Sequence, residues 1–262
     1  RSLFPEVHFI ANKENVGFSK ANNQAILQAK GKYVLLLNPD TIVPENCFEK
    51  ILAFADSKPD LGGCGVHMVD GQGKYLPESK RGLPTPEVAF YKTVGLNKIF
   101  PKSKKFGKYH LGYLDDNKNH EVEILAGAFM LLRKKTLDEV GLLDETFFMY
   151  GEDIDLSYRI TQGGWKNYYC ADTSIIHYKG ESTLKDDKYR QRFQEAMQFF
   201  YTKHFKKSEL FTIFMKVGSF VFSVTKQFNS DSESHYKVTK YCWISKDHNS
   251  VWKTVIQNKL NV

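Results

Sequence analysis

The sequence predicts an α/β fold. Two observations carry that reading. Over the first sixty residues, strand-like apolar runs alternate with helix-period stripes, an order that needs crossover connections. The second is the run Tyr33–Val34–Leu35–Leu36–Leu37, which is apolar throughout. Such a run suits a strand covered on both faces by helices, as in a parallel sheet. It stops at Asn38–Pro39–Asp40–Thr41, a cluster of turn formers.

Val7–Ile10 reads as the first strand, followed by a loop from Asn12 to Gly17. Phe18, Ala21, Ala25, Ile26 and Ala29 recur at helical spacing, and Lys30–Gly31 supplies a cationic stop. Pro44 is placed at the first position of the next helix, with Cys47, Phe48, Ile51, Leu52 and Ala55 as its inner stripe. Asp70–Gly71–Gln72–Gly73 is a turn. Residues 77–120 hold Pro84, Pro86 and Pro101, several glycines and many lysines, and read as a long, partly mobile excursion over one face. Val122–Leu125 and Ala128–Leu132 are strand-like, and Thr136 with Glu139 has capping-box spacing. Glu152–Asp153–Ile154–Asp155 opens a helix ended by Gly163–Gly164. Trp165–Tyr169 and Ser174–His177 are further strands, and residues 186–205 form a charged, aromatic helix.

Of the 262 residues, 42% are hydrophobic and 14% aromatic, enough for a sizeable core and too many for a disordered chain. The formal charge of +7 favours anionic partners. Nucleic acid is excluded as a partner, because the lysines are dispersed and no recognition motif is present. The four cysteines, Cys47, Cys64, Cys170 and Cys242, are scattered, which argues against a zinc site or disulfide framework and fits a cytoplasmic protein. No apolar stretch approaches the roughly 20 residues of a membrane-spanning helix.

Three places carry residues suited to chemistry. Asp40 follows a buried strand, where open α/β sheets bind ligands and where a hard cation takes carboxylate oxygen. Glu152–Asp153 follows Phe147–Phe148–Met149–Tyr150–Gly151, an aromatic setting in which desolvation raises a carboxyl pKa toward general-base duty. His177 ends an apolar strand and is suited to be a second ligand of a cation held by Asp40. Each alone has an ordinary structural explanation: a turn residue, helix-start acids, and a histidine after a strand.

Together these residues belong to a set of ordered blocks. Asn15–Val16–Gly17–Phe18–Ser19–Lys20–Ala21–Asn22–Asn23 comes first, then Leu35–Leu36–Leu37–Asn38–Pro39–Asp40–Thr41. Gly127–Ala128–Phe129–Met130, Val140–Gly141–Leu142–Leu143–Asp144–Glu145, Phe147–Asp153 and His177–Tyr178–Lys179–Gly180–Glu181–Ser182 follow. Over residues 5–183 the chain resembles the family 2 glycosyltransferases, and within them the bacterial rhamnosyltransferase-like enzymes of surface polysaccharide assembly.

The resemblance implies a GT-A fold, a Rossmann-like mixed sheet with helices on both faces. It implies an inverting transferase that moves a sugar such as rhamnose from a nucleoside-diphosphate donor to a saccharide or lipid-linked acceptor. Asn38–Pro39–Asp40 matches the family's Asp-x-Asp element, with Asn in place of the first acid. Asp40 and His177 would hold Mg²⁺ or Mn²⁺, Asp153 would be the base, and Glu152 would orient hydroxyls. Gly17, Phe18, Asn22, Asn23 and Asn38 would face the donor nucleotide sugar, the glycine permitting close backbone approach. Arg159 is read as pairing with Asp155 one turn earlier.

Family members open with two strands that bind base and ribose, and nothing before Val7 resembles them. About 50–60 residues are therefore expected to be missing, judged from ordinary element lengths. That loss would bare the edge of the Tyr33–Leu37 strand and weaken donor binding. A non-catalytic remnant of the fold, acting as a binding or scaffold protein, is the alternative function. The expected organisation is a catalytic domain over 1–183, a helical extension over 184–228 and a polar tail over 229–262. The Phe211–Val221 face, flanked by lysines, is expected to give peripheral contact with anionic lipid at the inner face of the bacterial plasma membrane.

Overall fold

The structure is a computed structural model and describes residues 4–178 and 187–205. Among these, β1 (Tyr33–Leu37), β2 (Thr41–Ile42), β3 (Leu61–Val69), β4 (His120–Val122), β5 (Phe129–Arg133) and β6 (Lys166–His177) form one mixed sheet. Its order is β1-β5-β3-β6-β2, with β4 also paired to β6. Only β3 and β6 run parallel; the other pairings are antiparallel. Helices α1 (Phe18–Ile26), α2 (Cys47–Asp56), α3 (Pro86–Thr93), α4 (Leu96–Ile99), α5 (Lys134–Val140), α6 (Glu152–Gln162) and α7 (Asp187–His204) complete it. The expected mixed sheet flanked by helices is therefore present.

Apolar side chains bury against the sheet in separate clusters. Ile51, Phe54 and Ala55 of α2 meet Cys64, Val66 and Met68 of β3. Ile26 of α1 and Leu156 and Ile160 of α6 join Met130 and Leu132 of β5 in a second cluster. A third holds Met197, Phe200 and Tyr201 of α7 with Phe147 and Ile154. Each large side chain so buried contributes roughly 1.5–3 kcal/mol. Helix α7 thus packs against α6 and the aromatic loop before it.

Several local expectations are corrected. Residues 7–10 are not a strand: Val7, Phe9 and Ile10 are exposed, and the described residues offer no neighbouring strand to take their backbone hydrogen bonds. β1 is covered on both faces, Tyr33 and Leu35 against one core cluster and Val34 and Leu36 against another, but it is not an inner parallel strand: among the described residues it lies at the end of the sheet order, paired antiparallel with β5. Thr136 does not cap α5. It lies fully buried inside that helix, and Arg133 is the N-cap residue. Pro44 precedes α2 by a turn, its carbonyl accepting from Cys47 N. Trp165–Tyr169 and Ser174–His177 belong to one bulged strand, β6. Residues 77–120 contain a 3-10 turn (Pro77–Ser79), α3 and α4, and bury Ser79, Lys80, Val88, Tyr109 and Leu111. The Phe211–Val221 face and the 229–262 tail lie outside the described residues.

Candidate active site

Asp40 and His177 meet because of strand register. β2 pairs antiparallel with the end of β6, setting Thr41 opposite His177, and Tyr178 N donates to Asp40 O at 3.0 Å. The turn is fixed by Thr41 Oγ1 donating to Asn38 O at 2.7 Å. Asp40 Oδ1 then lies 3.4 Å from His177 Nε2, long for a hydrogen bond. Asp40 Oδ1 and His177 Nδ1 are both buried atoms with no hydrogen-bond partner among the described residues. An unpartnered carboxylate oxygen facing an imidazole nitrogen fits a hard divalent cation held by few protein donors, the rest of its coordination left to water or phosphate oxygen. No cluster of three or more His, Cys, Asp or Glu suited to a metal occurs among the described residues.

Asp153 sits in the first turn of α6, where the helix dipole favours a carboxylate. Its Oδ1 accepts from Ile154 N at 2.8 Å, and its Oδ2 accepts from Gly127 N at 3.4 Å and from Arg81 Nη2. Arg81 also donates to Leu125 O, which ties its guanidinium to the chain just before Gly127. The Asp153 side chain keeps 16% exposure, so the carboxylate is held firmly yet open to a ligand.

Glu152 differs. It is buried, its Oε2 has no partner, and burial, followed by the neighbouring Asp153 charge, raises its pKa from about 4.5 to about 8. Burial thus favours the neutral carboxyl form of Glu152, which is able to donate a hydrogen bond. The folded protein thus binds a proton that the unfolded chain releases between about pH 4.5 and 8, and this group's contribution to stability falls as pH rises through that window. The slope is at most roughly 1.4 kcal/mol per pH unit. Glu152→Gln is expected to flatten the stability profile there, read by urea denaturation across the range; parallel profiles for the two proteins would contradict the assignment.

The start of α1 docks on the aromatic loop before α6. Gly17 has φ 84°, and a Cβ there would lie 2.6 Å from Phe148 O, so the position requires glycine. Phe18 N donates to that same carbonyl at 2.9 Å. A Cβ built on Gly127 would lie 3.7 Å from Asp153 Cβ and 3.8 Å from the Phe18 ring, so Phe18, Gly127 and Asp153 share one corner. Asn22 donates back to Phe18 O at 2.8 Å. Asn23 is buried and occupied elsewhere: it donates to Leu143 O and Glu145 Oε1 and accepts from Leu143 N. Its side chain fastens α1 to the 143–145 loop.

The two carboxylate regions are joined through backbone. Asn38 N donates to Ala128 O at 2.9 Å, next to Gly127, whose amide faces Asp153. The end of β1, the start of β5 and the head of α6 therefore lie side by side. The expected pairing of Arg159 with Asp155 is present at 2.7 Å. Sequence reasoning missed Arg81, hidden in the segment read as an excursion. The available signal was its chemistry: it is the only arginine among the many lysines of residues 77–120.

Residues 3–197 match the family model described as glycosyltransferase like family 2. An N-acetylglucosaminyl-diphospho-decaprenol L-rhamnosyltransferase from Mycobacterium tuberculosis is 27% identical over 194 residues, 70% of this chain and 62% of that protein. Rhamnosyltransferase WbbL from Escherichia coli is 29% identical over 173 residues, 62% of this chain and 61% of its own. The chain thus spans less than two thirds of either relative. A mannosyltransferase from Pyrobaculum calidifontis, solved with GDP-Man and Mn²⁺, superposes with a TM-score of 0.48 at 13% identity, covering 86% of this chain and 58% of that one.

Proposed function

The chain belongs to the glycosyltransferase like family 2, and from that premise we propose that it transfers a sugar, such as rhamnose, from a nucleoside-diphosphate donor to a saccharide or lipid-linked acceptor, inverting the anomeric centre. The observation that carries this reading is the Asp153 carboxylate, partly exposed and held by Arg81, Gly127 N and Ile154 N beside the strand end that bears Asp40. The relatives' rhamnosyl and decaprenol-linked chemistry supports the choice of donor and acceptor class, and with it a role in cell-surface polysaccharide synthesis at the inner face of the plasma membrane.

In this mechanism Asp153 takes the proton of the acceptor hydroxyl as that oxygen attacks the anomeric carbon. The bond from that carbon to the donor's diphosphate breaks, and its electron pair leaves with the phosphate oxygen. One displacement inverts the configuration without a covalent enzyme intermediate. Arg81 aims the carboxylate, and neutral Glu152 donates to a sugar hydroxyl. Phe18, Asn22 and Asn38 line the donor side. Asp40 and His177 would hold a divalent cation, Mg²⁺ or Mn²⁺, which when bound neutralises charge on the departing diphosphate.

The test is a donor panel with the full natural chain, following nucleoside-diphosphate release and the anomeric configuration of the product by NMR. Manganese-dependent binding of the free nucleoside diphosphate is measured in parallel. Inverted product is expected, with at least a roughly tenfold loss of that binding in Asp40→Asn, judged from what perturbed metal sites lose. Retained configuration, or equal metal-dependent binding in the variant, would overturn the assignment.

A further inference from the structure

Between Glu87 and Asp115 the chain carries six lysines (92, 98, 102, 104, 105 and 108) and no acidic residue. Part of this segment is gathered into one patch by α4 and the turn after it. Lys98, Ile99, Phe100, Lys102, Lys104 and Lys105 are all exposed, Ile99 by 66% and Phe100 by 50%. Among the described residues Lys98, Lys102 and Lys104 have no carboxylate within ion-pair distance, although Lys102 lines a cleft that also holds Asp115 and Asp116. Aromatic packing supports the patch from below: Phe106 stands edge-on to Tyr91 at 4.9 Å and tilts against Phe100 at 5.7 Å. The segment is anchored to the body of the protein, since Gly82 N donates to Tyr109 O at 3.1 Å and Lys108 approaches Glu123. Gly82 follows Arg81, the residue that grips Asp153.

We propose that this patch docks the protein on a bilayer surface rich in anionic headgroups, with Ile99 and Phe100 entering the interface and the lysines meeting the headgroup charge. The pairing of features selects this partner. Unopposed lysines alone would suit any polyanion. Two large apolar side chains exposed among them gain nothing from a purely polar partner, and an aliphatic Ile99 cannot serve as a stacking platform for bases. A bilayer rewards both, through apolar burial at the interface and charge at its surface. The inference stands on the patch itself and does not depend on the transferase reading. If both hold, a lipid-linked acceptor is met at the surface where the protein docks.

The experiment is flotation of the full chain with phosphatidylcholine vesicles, with and without phosphatidylglycerol. Binding is expected only with the anionic lipid and is expected to weaken with added salt. Each lysine near such a surface accounts for roughly fivefold in partitioning, so Lys102→Glu/Lys104→Glu/Lys105→Glu is expected to lose binding by more than tenfold. Ile99→Ser/Phe100→Ser is expected to reduce it severalfold, and Ile99→Ser alone, at the more exposed position and away from the Phe106 contact, is expected to weaken it in the same direction with the thermal midpoint little changed. Lys216→Glu/Lys226→Glu, outside the patch, is expected to float as the unaltered protein does. The proposal is overturned by wild-type protein that ignores anionic vesicles, by patch variants that bind normally, or by loss confined to the 216/226 variant. It is equally overturned if polyuridylate displaces the vesicles while Ile99→Ser/Phe100→Ser binds as well as wild type. Transfer to a soluble acceptor, measured on the same variants, separates a failure of docking from a failure of catalysis.

Discussion

Asp155→Ala is expected to lower the stability of the fold by roughly 3–5 kcal/mol, the cost of removing one partner from a buried charge network. Asp155 is fully buried and meets three nitrogens: the Arg159 guanidinium Nε at 2.7 Å, the Lys203 ammonium Nζ at 2.7 Å and His204 Nε2 at 2.6 Å. Arg159 continues to the carbonyls of Val140, Gly141 and Leu142, and Lys203 to Asp144. The network therefore fastens α7 and the 140–144 loop to the helix that carries Asp153. Without Asp155, the partly buried Arg159 guanidinium loses its carboxylate partner, and Lys203 keeps only Asp144. The thermal midpoint is expected to fall by about 10 °C, and Asp155→Asn should fall by less because the amide oxygen still accepts. A loss within error of zero would show that α7 is held by its apolar face alone. The pH dependence has the opposite sense to that of Glu152. Burial works against the Asp155 charge, but the Lys203, His204 and Arg159 bonds outweigh it and lower the pKa. Asp144, likewise buried against its charge, is brought down to about 2 by Lys203 and the Thr146 amide. Both therefore stabilise the fold above the ordinary carboxyl range, and their contribution is lost as pH falls through their folded values.

Much of this arrangement was legible in the sequence, for physical reasons that can be named. The blocks at 33–41, 127–130 and 147–153 combine a strand end or helix start with residues that have a polar task there, so pattern and chemistry point to the same place. The central strand Leu61–Val69 was not legible. Its alternation of Leu61, Cys64, Val66 and Met68 is interrupted by Gly62, Gly63 and Gly65, which weaken any strand signal taken alone. Those glycines answer to partners distant in sequence: a Cβ on Gly62 would lie 2.5 Å from the Ile160 side chain and 2.8 Å from Trp165. The fate of Asn23 was hidden for the same reason. Its neighbours suggest a loop facing a ligand, yet its partners are 120 and 122 residues away. β1 shows both sides of this. Its continuous apolar run matches a strand covered on both faces, while the sheet among the described residues gives it one neighbour.

The central claim concerns one carboxylate. Asp153 is held by three donors, remains partly exposed and shares a corner with Phe18 and Gly127. Asparagine has nearly the same shape and still accepts at one atom, but it leaves the Arg81 guanidinium without its counter-charge, so Asp153→Asn is expected to lower stability while keeping the fold and to remove the proton acceptor. Positioned general bases contribute about 10²–10⁴-fold. The decisive measurement is therefore single-turnover transfer by Asp153→Asn beside its binding of the nucleoside diphosphate with Mn²⁺, made in the full natural chain. Transfer reduced by that factor with diphosphate binding unchanged is the predicted result; transfer at the wild-type rate would contradict it.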